Sequence, residues 1–223
     1  MKPINVGLLG IGTVGGGTFT VLKRNAEEIT RRAGRPIQIT VVADKNLELA
    51  KQVTGGGCRL TDDAFSVVAD PEIDIVIELI GGYGVAKELV LKAIEHGKHV
   101  VTANKALLAI HGQELAELAE ANGCVIRFEA AVAGGIPVIK AMTESLAGNE
   151  IRRVMGVMNG TCNYILTRME NAGLPYETVF EEARQLGYLE ADPNLDVGGI
   201  DAGHKLSLLA AIAFGTRVAF DAV

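Results

Sequence analysis

"INVGLLGIGTVGGG", residues 4–17, decides the fold. Ile4 to Leu9 is a short apolar run of the kind that forms a strand buried on both faces. Gly10, Gly12 and Gly15 follow in G-x-G-x-x-G spacing, and a helical pattern then runs from about Gly16 to Arg32. Each glycine has a physical task in such a unit: a tight turn, close backbone approach to a pyrophosphate, and close packing of helix on strand. Thr13 and Val14, between the last two glycines, would offer free backbone N–H groups and the positive end of a helix dipole to phosphate. The motif is weak alone, and a Gly-rich turn without a ligand stays open. The strand before it and the helix after it supply the context it requires.

The next strand, "IQITVVAD", ends at Asp44. An acid there accepts hydrogen bonds from an adenosine ribose diol, or merely ends a strand at the surface. Lys45 beside it suits a 2′-phosphate, so NAD and NADP are both expected. Further strands are expected over 73–80, 98–104 and 124–132, with helices over 85–97 and 106–123. This alternation predicts an α/β fold, a doubly wound parallel sheet of Rossmann type, over residues 1–130. Ligands of such sheets sit outside the carboxyl ends of the strands, where Gly81, Gly82, Asn104 and Lys105 fall. A lysine that opens a helix opposes the helix dipole. Lys105 therefore points to another purpose, an exposed surface lysine being the alternative.

Beyond residue 130 the rhythm changes. Pro137 suits the first turn of a helix. A strand is expected over 150–158, and helices over about 160–173 and 176–189. Residues 131–223 are thus expected to form an α+β substrate-binding and catalytic domain, incomplete in this chain. Its segment "EADPNLDVGGIDAGHK", residues 190–205, places Glu190, Asp192, Asp196 and Asp201 ahead of Lys205. A solvated acidic loop capping a surface helix is one reading of it. Asp201 and Lys205, four residues apart, share one helical face. Asp192 is accounted for by the Asp-Pro turn it opens.

The net charge of -6 argues against nucleic acid or an anionic membrane as the main partner. The absence of Trp, with 4% aromatic residues, disfavours a base-stacking platform. Cys58, Cys124 and Cys162 are odd in number and form no C-x-x-C, so they read as buried thiols of a reducing cytoplasm. No apolar run is long enough to span a bilayer. The glycine turn follows the first residue too soon for a signal peptide. A cytoplasmic protein is expected.

Six landmarks, "GLLGIGTVGGG", "VIELIGG", "GKHVVTANKALLA", "EAAVAGGIP", "NGTCNYIL" and "LGYLEADPNLDVGGIDAGHK", occur in order. Through them the chain resembles homoserine dehydrogenase along essentially its whole length. The resemblance implies an oxidoreductase that moves hydride reversibly between NAD(P)H plus L-aspartate 4-semialdehyde and L-homoserine, in threonine, methionine and isoleucine synthesis. It implies that Glu190 and Asp201 hold the substrate ammonium, as carboxylates do through charge-assisted hydrogen bonds. Lys205 would donate the proton to the alkoxide, with Asp196 supporting it and Lys105 lying between nicotinamide and substrate. Gly160 and Thr161 would approach the substrate and Gly187 the cofactor.

The same resemblance implies a monovalent cation, often sodium, at Glu129, Val132, Gly134 and Ile136, mainly on backbone carbonyls. Glu129 is equally open to a structural role. A homodimer or larger assembly is expected, and a chain that stops short of the family's usual end. Such a fragment is expected to bind cofactor but catalyse poorly. Two departures stand out. Leu189 replaces a usually small residue and would narrow the pocket beside Glu190. Cys162 occupies an expected helix start, where a thiol pKa can fall, a plain buried cysteine being the alternative. Two rivals remain: a dehydrogenase of another amino acid, and a catalytically silent NAD-binding sensor.

Overall fold

The computed structural model describes residues 2–189 and 192–223, so Glu190 lies outside the described residues. The chain divides into two compact units, Met1–Ala131 and Val132–Val223. In the first, six parallel strands form one sheet: β1 (Ile4–Leu9), β2 (Ile37–Ala43), β3 (Arg59–Thr61), β4 (Ile75–Glu78), β5 (His99–Thr102) and β6 (Ile126–Arg127). Their order is β3-β2-β1-β4-β5-β6. Leu8, Leu9, Val42 and Val76 are fully buried, as a sheet covered on both faces requires. Strand order reverses between β1 and β4, which opens a crevice beyond their carboxyl ends.

Six helices flank the sheet: α1 (Thr13–Arg24), α2 (Ala26–Ala33), α3 (Leu47–Thr54), α4 (Ala64–Val68), α5 (Val85–Glu95) and α6 (Lys105–Ala121). The single helix expected from Gly16 starts three residues earlier and breaks at Asn25, whose N–H closes α1 on the Val21 carbonyl. Side-chain caps start three helices. Asn46 accepts from Leu49 N, Asp63 from Phe65 N and Ser66 N, and Asn104 from Leu107 N. Each such cap contributes about 1 kcal/mol. Gly12 precedes α1 with no side chain to cap it. The first N–H groups of α1 are therefore left for another acceptor.

Two expected strands are corrected. Over 124–132 the ladder covers only Ile126 and Arg127, and α7 (Glu129–Val132) forms a helical turn instead. Glu and Ala favour that turn over extended backbone. The strand expected over 150–158 is absent, and those residues adopt no regular structure. Met155 and Val157 are 78% and 76% exposed there. Alternating side chains are consistent with a strand but do not supply the neighbour that makes one.

The regular structure of the second unit is helical among the described residues: α8 (Val138–Lys140), a π-helical turn (Ala141–Ser145), α9 (Gly160–Ala172), α10 (Tyr176–Gln185), α11 (Asn194–Val197), α12 (Ile200–Phe214) and a 3-10 turn (Phe220–Ala222). Ile165, Val179 and Ala183 form its small core between α9 and α10. No helix among the described residues is long and apolar enough to cross a membrane.

Candidate active site

The glycine turn is shaped by contacts that no side chain tolerates. Gly10 has φ 91°, and a Cβ there would lie 2.7 Å from the Leu79 carbonyl oxygen. A Cβ on Gly15 would lie 2.0 Å from the Gly10 carbonyl oxygen, so only glycine lets α1 start this close to β1. Nothing lies within 4 Å of the corresponding point on Gly12. That open side, with the uncapped start of α1 at Thr13 and Val14, fits a pyrophosphate.

A cleft of about 430 Å³ adjoins this turn, lined in part by Gly10, Gly12, Asp44, Lys45, Asp62 and Phe65. Its size suits a nucleoside moiety. Asp44 faces two ways: Oδ2 accepts from Ile11 N at 2.7 Å and Oδ1 from Asn46 N at 2.8 Å. The carboxylate thus latches the glycine turn to the end of β2. Lys45 Nζ donates to the Asp62 carbonyl at 2.8 Å. Asp63 also lines the cleft.

At the ends of β4 and β5, fully buried Glu78 organises the next loop. Its Oε1 accepts from Ile80 N at 2.8 Å and Gly81 N at 3.1 Å, and its Oε2 accepts from Thr102 Oγ1 at 2.7 Å. Thr102 Oγ1 accepts from Asn104 N, and Asn104 Nδ2 donates to the Gly82 carbonyl. Gly81, Gly82 and Asn104 are thereby fixed together, at the start of the helix that half-buried Lys105 opens. Glu78→Ala strands two backbone donors and a hydroxyl. A loss of about 1–3 kcal/mol in urea unfolding is expected, because buried groups without partners cost that much.

In the second unit, Asn159 caps α9, its Oδ1 accepting from Cys162 N at 2.7 Å. Its Nδ2 donates to Asp196 Oδ1 at 2.8 Å and to Asp201 Oδ2 at 2.9 Å. Lys205 Nζ donates to the same Asp201 oxygen at 2.8 Å and to the Met158 carbonyl at 2.9 Å. Asp196 and Asp201 are each 2% exposed, and the Lys205 side chain 19%. Asp196 reaches Lys205 through Asn159 and Asp201. Asp201, expected to hold a substrate ammonium, here holds the ammonium of Lys205.

Gly160 and Thr161 open α9, and Thr161 Oγ1 donates to the Tyr188 carbonyl at 2.7 Å. This ties α9 to the loop that carries Gly187 and Leu189. Cys162 Sγ donates to the Asp196 carbonyl at 3.3 Å. Its thiol pKa is raised, not lowered as a helix start suggests: burial pushes it up, and the Asp196 and Asp201 carboxylates push it further. Cys162 is therefore a thiol at neutral pH, not a poised nucleophile.

The four expected cation positions divide between the units. Glu129 belongs to the first, while Val132, Gly134 and Ile136 belong to the second. The Ile136 carbonyl already accepts from Val138 N at 2.8 Å. Among the described residues no group of three or more His, Cys, Asp or Glu side chains gathers to hold a metal.

Sequence reading missed Glu78 and Asn159. A carboxylate inside the apolar run "VIELI" was the signal for the first, since acids are rarely buried without partners. Asn159, placed just before the helix expected over about 160–173, gave no local signal of its role.

Residues 10–129 match the family model described as "Homoserine dehydrogenase, NAD binding domain", and residues 137–223 the one described as "Homoserine dehydrogenase". The chain is 61% identical over 214 residues to a homoserine dehydrogenase of Methylobacillus glycogenes, covering 95% of this chain and 52% of that protein. It is 57% identical over 221 residues to that of Pseudomonas aeruginosa, covering 99% and 50%. The chain spans about half the length of the curated relatives it matches. Among solved structures, the homoserine dehydrogenase of Thiobacillus denitrificans superposes with a TM-score of 0.95 at 58% identity, over 99% of this chain and 51% of that one. A hyperthermophilic archaeal homoserine dehydrogenase in complex with NADPH gives a TM-score of 0.83 at 27% identity, over 97% and 71%.

Proposed function

Because the chain belongs to the homoserine dehydrogenase family, we propose that it carries the dinucleotide-binding unit and the catalytic residues of an NAD(P)-dependent oxidoreductase that interconverts L-homoserine and L-aspartate 4-semialdehyde. The observation that carries this reading is the linked set of Lys205 and Asp201 on α12, Asn159 at the N-cap of α9 and Asp196 on α11. A primary amine held at a known place is what reversible proton transfer to a substrate oxygen needs.

Bound NAD(P) would supply the hydride acceptor, on a cradle made by Gly10, Gly12, Thr13, Val14 and Gly15 with Asp44, Lys45, Gly81, Asn104, Lys105 and Gly187 around it. As the neutral amine, Lys205 Nζ takes the hydroxyl proton when the alcohol is oxidised, and as the resulting ammonium it returns that proton to the alkoxide in the reverse direction. Glu190 and Asp201 hold the substrate ammonium, beside Gly160 and Thr161 at the start of α9. Lys105 contributes positive charge toward the developing oxyanion. Asp196 holds the network from behind. The protein would act in the cytoplasm as a homodimer, in threonine, methionine and isoleucine synthesis. A monovalent cation such as sodium would take Glu129 and the carbonyls of Val132, Gly134 and Ile136; activity unchanged when sodium is replaced by a bulky organic cation removes that site.

The test is oxidation of L-homoserine with NAD or NADP by the protein at the full length of its relatives, followed through the reduced nicotinamide, with L-aspartate as the control substrate. Turnover of homoserine alone supports the reading; dinucleotide binding without turnover of homoserine defeats it. NAD should bind more tightly than NADP, since Asp44, Asp62 and Asp63 surround the cleft and repel a 2′-phosphate. Asp44→Ala should narrow the difference by about 1 kcal/mol, one charge–charge term in water at contact distance. It should also weaken both cofactors by freeing Ile11 N–H. An unchanged ratio of the two dissociation constants excludes Asp44 as the selector.

A further inference from the structure

The geometry points to Asn159 as the residue that positions Lys205, by holding the buried carboxylates of Asp196 and Asp201 on a single amide. This rests on the reading of Lys205 as the proton-transferring group. The Asn159 amide uses both kinds of group it has, its oxygen capping α9 and its nitrogen donating once to each carboxylate. Asparagine is short enough to cap and carries two donors on one planar group; serine has one donor and aspartate none.

Two nearly inaccessible carboxylates drawn to one nitrogen repel each other unless donors lie between them. Asn159 supplies such donors while being 8% exposed itself. Both acceptors that hold Lys205 Nζ then trace to this one position. Asp201 Oδ2 is oriented by the Asn159 amide, and the Met158 carbonyl belongs to the peptide that joins Met158 to Asn159. The residue that caps α9 thus governs an amine on α12.

Asn159→Ser keeps an oxygen able to cap α9 and removes the double bridge, so it separates capping from positioning. Circular dichroism and NAD(P)H titration should report a folded variant with cofactor affinity retained. Its kcat for homoserine should fall roughly ten- to a hundredfold, since displacement of a catalytic group by about 1 Å costs that order. The Asn159→Asp variant, which adds a third carboxylate, should fall at least as far. Competitive acetylation by acetic anhydride, read by peptide mass spectrometry against the other lysines, reports Lys205 without any need for turnover. Faster acetylation of Lys205 in Asn159→Ser supports the inference. Unchanged acetylation overturns it, whatever kcat does. Wild-type protein of the relatives' full length that turns over no homoserine overturns the functional reading instead, and acetylation still decides the role of Asn159.

Discussion

Lys205→Ala is expected to lower kcat for homoserine oxidation by roughly 10²–10⁴-fold, the usual contribution of a positioned acid–base group. The affinity for NAD(P)H should be retained, because the glycine turn lies in the other unit. The amine is the only part of Lys205 that can move a proton, and it stands 2.8 Å from Asp201. Removing it also leaves a nearly inaccessible carboxylate without its cation, which costs several kcal/mol when such a pair is broken. Lys205→Arg separates the two effects. It restores positive charge beside Asp201 but does not deprotonate near neutral pH, so stability should recover while turnover does not. Single-turnover and steady-state kinetics with both variants, beside urea unfolding, make the comparison. An unaffected kcat in either variant removes Lys205 from the chemistry.

The second large effect is expected at Gly15. A methyl group there would begin 2.0 Å from the Gly10 carbonyl oxygen, and both partners are backbone. No rotamer change relieves such a clash; the helix must retreat from the strand. Gly15→Ala should cost roughly 1–3 kcal/mol or more in urea unfolding, as overpacking does. NAD(P)H affinity should fall by more than tenfold, about 1.4 kcal/mol, because the cradle moves with the helix. Gly17→Ala is the control: nothing lies within 4 Å of its added atom, and alanine is the better helix former. Gly12→Ala adds a third outcome. Its side is open in the protein, so stability should hold while the approach of a pyrophosphate is blocked. Equal cofactor affinity in Gly12→Ala and wild type would show that the ligand does not use that side.

The first unit was legible because its periodicities are long and its punctuation is glycine. The strands at 4–9 and 37–43 and the helices at 85–95 and 105–121 fall close to where apolar runs and helical spacing put them. Residues 45–72 carry three short elements whose starts depend on caps at Asn46 and Asp63, too brief for periodicity to register. The strand expected over 150–158 failed for another reason: pairing belongs to two segments, and a sequence shows one at a time. At the candidate site, the spacing of Asp201 and Lys205 put them on one helical face, but their ion pair came only with the structure. That spacing was silent on Asn159, which lies 42 residues from Asp201. Long-range hydrogen bonds of a small amide leave no local pattern. Glu78 was readable in principle, as an acid inside an apolar run.

The two hydrogen bonds of Asp44 limit how cofactor preference can evolve. In a lineage drifting from NAD to NADP, the obvious single step is to lose that acid. Here the step would also unfasten Ile11 from the end of β2, so such an intermediate should bind either cofactor less tightly. Lys45 offers a gentler route. Its ammonium rests only on the exposed rim, at the Asp62 carbonyl, and can swing toward an added phosphate while the turn stays latched. Descendants with a changed preference should therefore have altered the neighbourhood of Lys45, Asp62 and Asp63 first and kept Asp44 until last.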